Sequence, residues 1–278
     1  MSNSTALFEI PIPPIDNHPG GSIVCTTPRP RVYLLTFSSP PDNRLTTPFC
    51  HAFLSALDVI EHAHPPGVVV TTSSITKFYS NGLDLAHATE APHFWSAALY
   101  PLFRRLLTYP MPTVALINGH AFAGGLMTAM HHDYRVMNPS RGFVCMNEVI
   151  FGAPLKPPMA AIFRAKCDAA TFRDVVLEGR RYGGPAARDA GLVDAVGGLD
   201  EALDLIQSRN LVDMAKSGVY GLLKMEMWRE LLALLETTPE GHAVQEADWS
   251  RRAQEEDERA EKGKRFVEKW QKANKAKL

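Results

Sequence analysis

The chain has 278 residues, enough to bury a large core in one domain or in a domain with an appendage. Lys and Arg number 29 against 30 Asp and Glu, so no global field favours a nucleic acid or an anionic membrane as partner, and any phosphate must be held locally. Cys25, Cys50, Cys145 and Cys167 are scattered without zinc-site spacing, no apolar run is long enough to cross a bilayer, and the N-terminus lacks the apolar stretch of a secretory signal. These features lead to the expectation of reduced thiols in an intracellular protein with no membrane insertion.

Residues 1–30 carry Pro11, Pro13, Pro14, Pro19, Pro28 and Pro30 with Gly20-Gly21, a composition that excludes a helix and argues against a central strand. An extended arm is expected there. Arg31 to Phe37 reads as a strand and Pro40-Pro41-Asp42-Asn43 as a turn. Thr47-Pro48 opens a helix with Phe49, Phe53, Leu57 and Ile60 at helical spacing. Val68 to Thr72 and Thr113 to Ile117 are short apolar runs bounded by Gly or Pro, as in strands buried on both faces of a parallel sheet. Pro92 to Thr108 between them reads as a helix. After Gly124 a helix runs through Met130, and Tyr134 to Met137 and Gly142 to Met146 are further strands. The core is thus a strand-strand-helix winding.

From Pro157 onward the helical signal takes over. Met159–Ala165, Ala169–Leu177 closed by Gly179, and Ala186–Ala190 closed by Gly191 are followed by longer helices over 198–214, 219–235 and 244–272. The expected domains are an arm over 1–30, a winding core over 31–196 and a C-terminal helical module over 197–278.

Three segments carry candidate chemistry. Ser80-Asn81-Gly82-Leu83-Asp84 and Asn118-Gly119-His120-Ala121-Phe122-Ala123-Gly124-Gly125 each read as strand, glycine turn and helix start. A turn that opens a helix aims unpaired backbone N–H groups outward, and two such turns together hold a developing oxyanion. Asn-Gly alone is a common hairpin dipeptide, so the reading needs both turns. Glu148 is the acid–base candidate, set in the apolar run Val144-Cys145-Met146 and Val149-Ile150-Phe151, which is expected to raise its pKa.

His131-His132-Asp133 is expected to be structural, since adjacent residues on a helix diverge by about 100° and no metal-binding spacing accompanies them. Met225, Met227, Trp228, Leu231 and Leu232 are expected as helix-packing core. No Gly-x-Ser-x-Gly elbow, Walker loop or dinucleotide fingerprint occurs.

The order of these parts, with Phe143 to Glu148, Gly152, Leu177-Glu178-Gly179-Arg180-Arg181 and Ala190-Gly191-Leu192-Val193-Asp194, resembles the crotonase (enoyl-CoA hydratase/isomerase) superfamily. Ala121 to Gly125, His132-Asp133-Tyr134, Arg141-Gly142 and Asn147-Glu148 are most similar to its plant and fungal Δ3,Δ2-enoyl-CoA isomerase branch. The resemblance implies an α/β spiral of repeated ββα units with a C-terminal helical module that forms a homotrimer or a dimer of trimers. It implies an oxyanion hole from the N–H groups of Leu83 and Gly124, a catalytic Glu148, and substrate contacts at Ser80, Asn81, Gly82, Asp84 and Gly125. Hydratases of the family carry a second glutamate three residues after the oxyanion-hole glycine, where this chain has Met127.

The implied reaction moves the double bond of a 3-enoyl-CoA to the trans-2 position, as in fatty-acid β-oxidation, with no metal or other cofactor, since CoA is part of the substrate. A hydratase, dienoyl isomerase, thioesterase or non-catalytic acyl-CoA-binding relative remains an alternative. The resemblance also sets the last helices near the CoA phosphates, so one or two of the lysines from Lys262 onward are expected to meet the nucleotide. Ala276-Lys277-Leu278 is a close variant of the Ser-Lys-Leu peroxisomal address, which adds an import receptor as an expected partner.

Overall fold

The computed structural model of the chain describes residues 6–275. Strands β1 (Phe8–Ile12), β2 (Gly21–Arg29) and β3 (Val32–Ser38) lead into helix α1 (Thr47–Ala63). Three windings follow, each placing one strand in a large sheet and the next in a small one before a helix. They are β4 (Val68–Ser73) and β5 (Phe78–Ser80) with α2 (Leu85–Glu90) and α3 (Tyr100–Thr108); β6 (Thr113–Ile117) and β7 (His120–Phe122) with α4 (Gly124–His131); and β8 (Tyr134–Met137) and β9 (Val144–Cys145) with α5 (Glu148–Phe151) and α6 (Pro157–Lys166). Then come α7 (Ala169–Leu177), α8 (Gly184–Asp189), β10 (Ala195–Val196), α9 (Leu199–Ser208), α10 (Leu211–Met214), α11 (Tyr220–Met227), α12 (Arg229–Leu234) and α13 (Pro239–Lys275).

The large sheet runs β1-β2-β3-β4-β6-β8-β10, antiparallel at β1-β2-β3 and parallel beyond; the small sheet, β5-β7-β9, is parallel throughout. Alternation along β4 explains its unbroken apolar run. Val69 joins the main core with Phe37, Phe53, Phe103 and Met130, while Val68 and Val70 face a second layer of Leu203, Leu205 and Ile206 from α9.

The exclusion of a central strand from residues 1–30 is corrected, because β2 lies between β1 and β3. The prolines fall where a missing N–H is tolerated: Pro11 is on the edge strand β1, and Pro28 sits where the β2–β3 register shifts between Thr26 and Arg29. Packing groups the described residues up to 236 into one compact unit and those from 237 onward into another. Val196 therefore falls inside the first unit, since α9 is what covers the back of the large sheet.

The helix expected over 92–108 begins as a π-helical turn, Phe94–Leu99, before α3, and the one expected over 219–235 breaks at Trp228. Met225 and Met227, expected in the core, are exposed, whereas Trp228, Leu231 and Leu232 are buried. The buried face of α11 instead carries Gly221 and Lys224.

Lys224 enters the interior because Asp133 is there to receive it, with Nζ 2.8 Å from Oδ1. Asp133 also accepts from the N–H of Thr113 at 2.9 Å and the hydroxyl of Tyr220 at 3.3 Å. Removing one partner leaves the other charge buried and unpaired. Asp133→Ala is therefore expected to lower stability by about 3 kcal/mol or more, read by denaturant unfolding.

Candidate active site

The three segments singled out by sequence leave the same edge of the small sheet. Strands β5, β7 and β9 are parallel neighbours, so their C-terminal ends deliver Asn81–Asp84, Ala123–Gly125 and Met146–Glu148 side by side. A hydrogen bond from Ala123 N–H to Cys145 O, 2.9 Å, locks the second to the third.

The first two segments touch. Gly82 has φ +84°, and a Cβ there would stand 2.8 Å from Phe122 O and 3.0 Å from Gly124 N. A Cβ on Gly125 would fall 2.3 Å from Ser80 O. Leu83 Cδ2 lies against Gly124, which is the first residue of α4. Helix geometry leaves the Gly124, Gly125 and Leu126 N–H groups ahead of the first intrahelical bond, Met127 N–H to Ala123 O.

Leu83 bridges to Leu45. Ser80 Oγ donates to Asn43 O at 2.8 Å and accepts from Gly82 N–H at 3.2 Å. Asn81 donates to Asp42 Oδ2, and Asp84 caps α2 by accepting from His87 N–H while also holding His18 Nε2 at 2.8 Å. Asn118-Gly119, expected to help the second turn approach a ligand, does something else. Asn118 donates to Ile75 O, and a Cβ on Gly119 would collide with Lys77 O, so this glycine serves the passage from β6 to β7.

Glu148 opens the single-turn helix α5, which closes at Gly152 with φ +78°. It is 9% exposed, and its Oε2 is buried with no hydrogen-bond partner among the described residues. Burial pushes the carboxyl up to about 7, against a smaller opposing pull from its own backbone N–H. The pocket differs from expectation: Val144, Cys145 and Met146 are buried, but Val149, Ile150 and Phe151 lie on the outer face of the short helix, Ile150 at 67% exposure. Asn147 Oδ1 and Asn118 Oδ1 are also buried acceptors without a partner among the described residues. Met127, 1% exposed, is part of the main core.

The His131-His132-Asp133 run is held inside the fold, with His131 Nε2 the one ring nitrogen of the pair that has no hydrogen-bond partner among the described residues. His131 Nδ1 donates to Met127 O and its ring stacks on Phe103 at 4.0 Å; His132 bonds Thr128 O and the Thr71 hydroxyl. Burial holds both imidazoles down to about 3. Among the described residues Asp58, Glu61 and His62 are close enough to share an ion, but Asp58 and Glu61 both grip Arg105.

The enoyl-CoA hydratase/isomerase family model matches residues 29–276. The chain belongs to the enoyl-CoA hydratase/isomerase family. Enoyl-CoA delta isomerase 3 of Arabidopsis thaliana is 31% identical over 220 residues, 74% of this chain and 92% of that protein. Peroxisomal enoyl-CoA delta isomerase 2 of the same plant is 33% identical over 219 residues, 73% and 91% of the two chains. Human mitochondrial Δ3-Δ2-enoyl-CoA isomerase has the same fold, with a TM-score of 0.64 at 21% identity over 81% of this chain and 95% of the human one. Two strands and a helix per turn, with the helix returning the chain to the large sheet, is the ββα spiral expected of the family.

The side chains that hold the first turn, Asp42, Asn43 and Arg44, are not marked as such in the sequence, where Pro40-Pro41-Asp42-Asn43 reads as a turn. The available signal was Asn43, one of the few residue types that accept the positive φ of +53° found there.

The raised carboxyl of Glu148 has a consequence for folding. The folded chain keeps this proton to about pH 7 while the unfolded chain releases it near 4.5, so stability falls as pH rises through that window and levels off above it. Glu148→Gln removes the dependence. At pH 8 it is expected to be more stable than the parent by about 3 kcal/mol, a gain that vanishes near pH 4.5 when melting is followed across pH.

Proposed function

We propose that this protein is a Δ3,Δ2-enoyl-CoA isomerase that moves one proton from carbon 2 to carbon 4 of a 3-enoyl thioester. The observation that carries the reading is a buried carboxylate, Glu148, whose Oε2 has no hydrogen-bond partner among the described residues, delivered by the same sheet edge as two backbone turns. In this mechanism the thioester oxygen accepts from the N–H groups of Leu83 and Gly124, whose fixed dipoles stabilise the dienolate better than water does. Ser80, Asn81, Gly82, Asp84 and Gly125 shape the cradle around it. Glu148 removes the proton and returns it, and the product is the conjugated trans-2-enoyl-CoA used in β-oxidation. The reaction needs no metal or redox cofactor, because the only charge that develops is met by N–H donors.

The apolar Met127 favours isomerisation over hydration, since a thioether neither binds nor activates water as an acid or base. The relatives named as delta isomerases support the same reading, and the peroxisomal ones support the peroxisome as its compartment. The Ala276-Lys277-Leu278 tripeptide and the side chain of Lys275 lie outside the described residues.

Purified protein mixed with 3-hexenoyl-CoA is expected to generate the ultraviolet absorbance of the conjugated product. Glu148→Gln should lower that rate at least about a hundredfold with little change in acyl-CoA affinity, and Met127→Ala should leave proton transfer largely intact. Because the base works as a carboxylate, kcat/KM should climb up to about pH 7 and then flatten. Rates equal to the parent in Glu148→Gln, or efficient hydration of 2-enoyl-CoA by the parent, would overturn the mechanism.

Trimeric assembly is part of the proposal. Its support is the outward apolar face of α11, where Leu222, Leu223, Met225 and Met227 are all exposed on the single chain. Sedimentation should give a trimer or a dimer of trimers, and Leu222→Asp with Leu223→Asp should shift it toward monomer; a fully active monomer in the parent contradicts the assembly.

A further inference from the structure

The geometry points to Arg44 as the positioning residue that fixes the direction of the Leu83 N–H, an inference that rests on the oxyanion-hole reading above. The two carbonyls that flank residue 83 are both taken by donors from adjacent residues of one segment. Leu45 N–H donates to Gly82 O at 2.9 Å, across the same peptide plane whose other side is the Leu83 N–H. Arg44 Nη1 donates to Leu83 O at 2.9 Å, on the next plane. With both planes held, neither φ nor ψ of Leu83 is free to turn, and the direction of its N–H is fixed.

Arg44 is itself fixed. Its Nε lies 3.1 and 3.3 Å from the two oxygens of Asp42, so the guanidinium reaches the carboxylate with one edge and the Leu83 carbonyl with another. Asp42 also accepts from Asn81 Nδ2 at 2.6 Å, and its main-chain carbonyl accepts from Asn81 N–H at 3.0 Å. Asn43 anchors the segment to the sheets, accepting from Ser39 N–H at 2.8 Å and donating to Ser73 Oγ at 2.6 Å and Tyr79 O at 3.1 Å. Residues 42–45 thus form a buttress for residues 81–83. A donor misplaced by about an ångström loses much of its worth to a transition state, which makes the buttress kinetic as well as structural.

The test compares the parent with Arg44→Ala and Arg44→Lys, using 3-hexenoyl-CoA and the matching pantetheine thioester, which lacks the nucleotide. Arg44→Ala is expected to lower kcat by about thirtyfold with KM within about threefold, and by the same factor for both substrates. Arg44→Lys keeps the charge and most of the stem but cannot span both partners, so it should recover only a small part of the loss and should melt with the parent. A second readout needs no turnover: bound acetoacetyl-CoA ionises to an ultraviolet-absorbing enolate, and the pH at which it does so should lie below that of the free thioester in the parent and move back toward it in both variants. A defect that disappears with the pantetheine thioester would assign Arg44 to the nucleotide instead and overturn the proposal. So would equal enolate stabilisation in parent and variants. A parent that neither isomerises 3-hexenoyl-CoA nor shifts acetoacetyl-CoA ionisation would remove the oxyanion hole itself, a result distinct from loss of Arg44's role alone.

Discussion

The parallel pairing of three very short strands is the constraint on which the candidate site depends. Strand β7 has three residues and β9 two, yet β7 pairs on one side with β5 and on the other with β9, all in the same direction. Parallel neighbours must end at the same edge, so Gly82 and Gly124, which lie 66 and 24 residues before Glu148 in the chain, are delivered together with it without long loops. The approach is then limited by atomic radii. Gly82 and Gly125 lie so close to the neighbouring main chain that a methyl group has no room, and closeness of this kind lets separate turns act as one cradle.

Glu148 shows how the same architecture sets chemistry. The carboxylate is taken from water by its position at the foot of a one-turn helix, and its Oε2 has no hydrogen-bond partner among the described residues. Desolvation without a compensating partner is unfavourable for stability and favourable for a base that must accept and release a proton near neutral pH. The interior solves the opposite problem at Asp133, where the charges of Lys224 and Asp133 meet directly and only structure is served.

Much of this was legible in the sequence. The strands at 113–117 and 134–137 and the helix at 169–177 coincide with expectation, because Gly, Pro and an Asp cap mark their ends sharply. Gly82, Gly124 and Glu148 could be picked out since each combines a residue type with a place in the strand, turn and helix order. Less legible were features decided by contacts between distant segments. Apolar neighbours in sequence suggested that Val149 to Phe151 enclose the base, but a single helical turn sends successive residues in different directions, and these three point outward. Proline counts argued for an extended arm with no central strand over residues 1–30, because composition says nothing of which strand is at an edge. Asp42 read as a turn residue and Arg44 drew no reading for the same reason: their partners Asn81 and Leu83 are about 40 residues away.

The edges of the large sheet bear on what could add to it. At one end stands β1, five residues long, with Pro11 inside it and Pro13 and Pro14 just beyond; at the other is β10, only two residues long. Neither offers the continuous row of N–H and C=O groups that another strand needs as a template. A sheet with blunted margins gives another strand no template to extend it, so any surface that recognises a partner must work through side-chain shape and charge and not through backbone pairing.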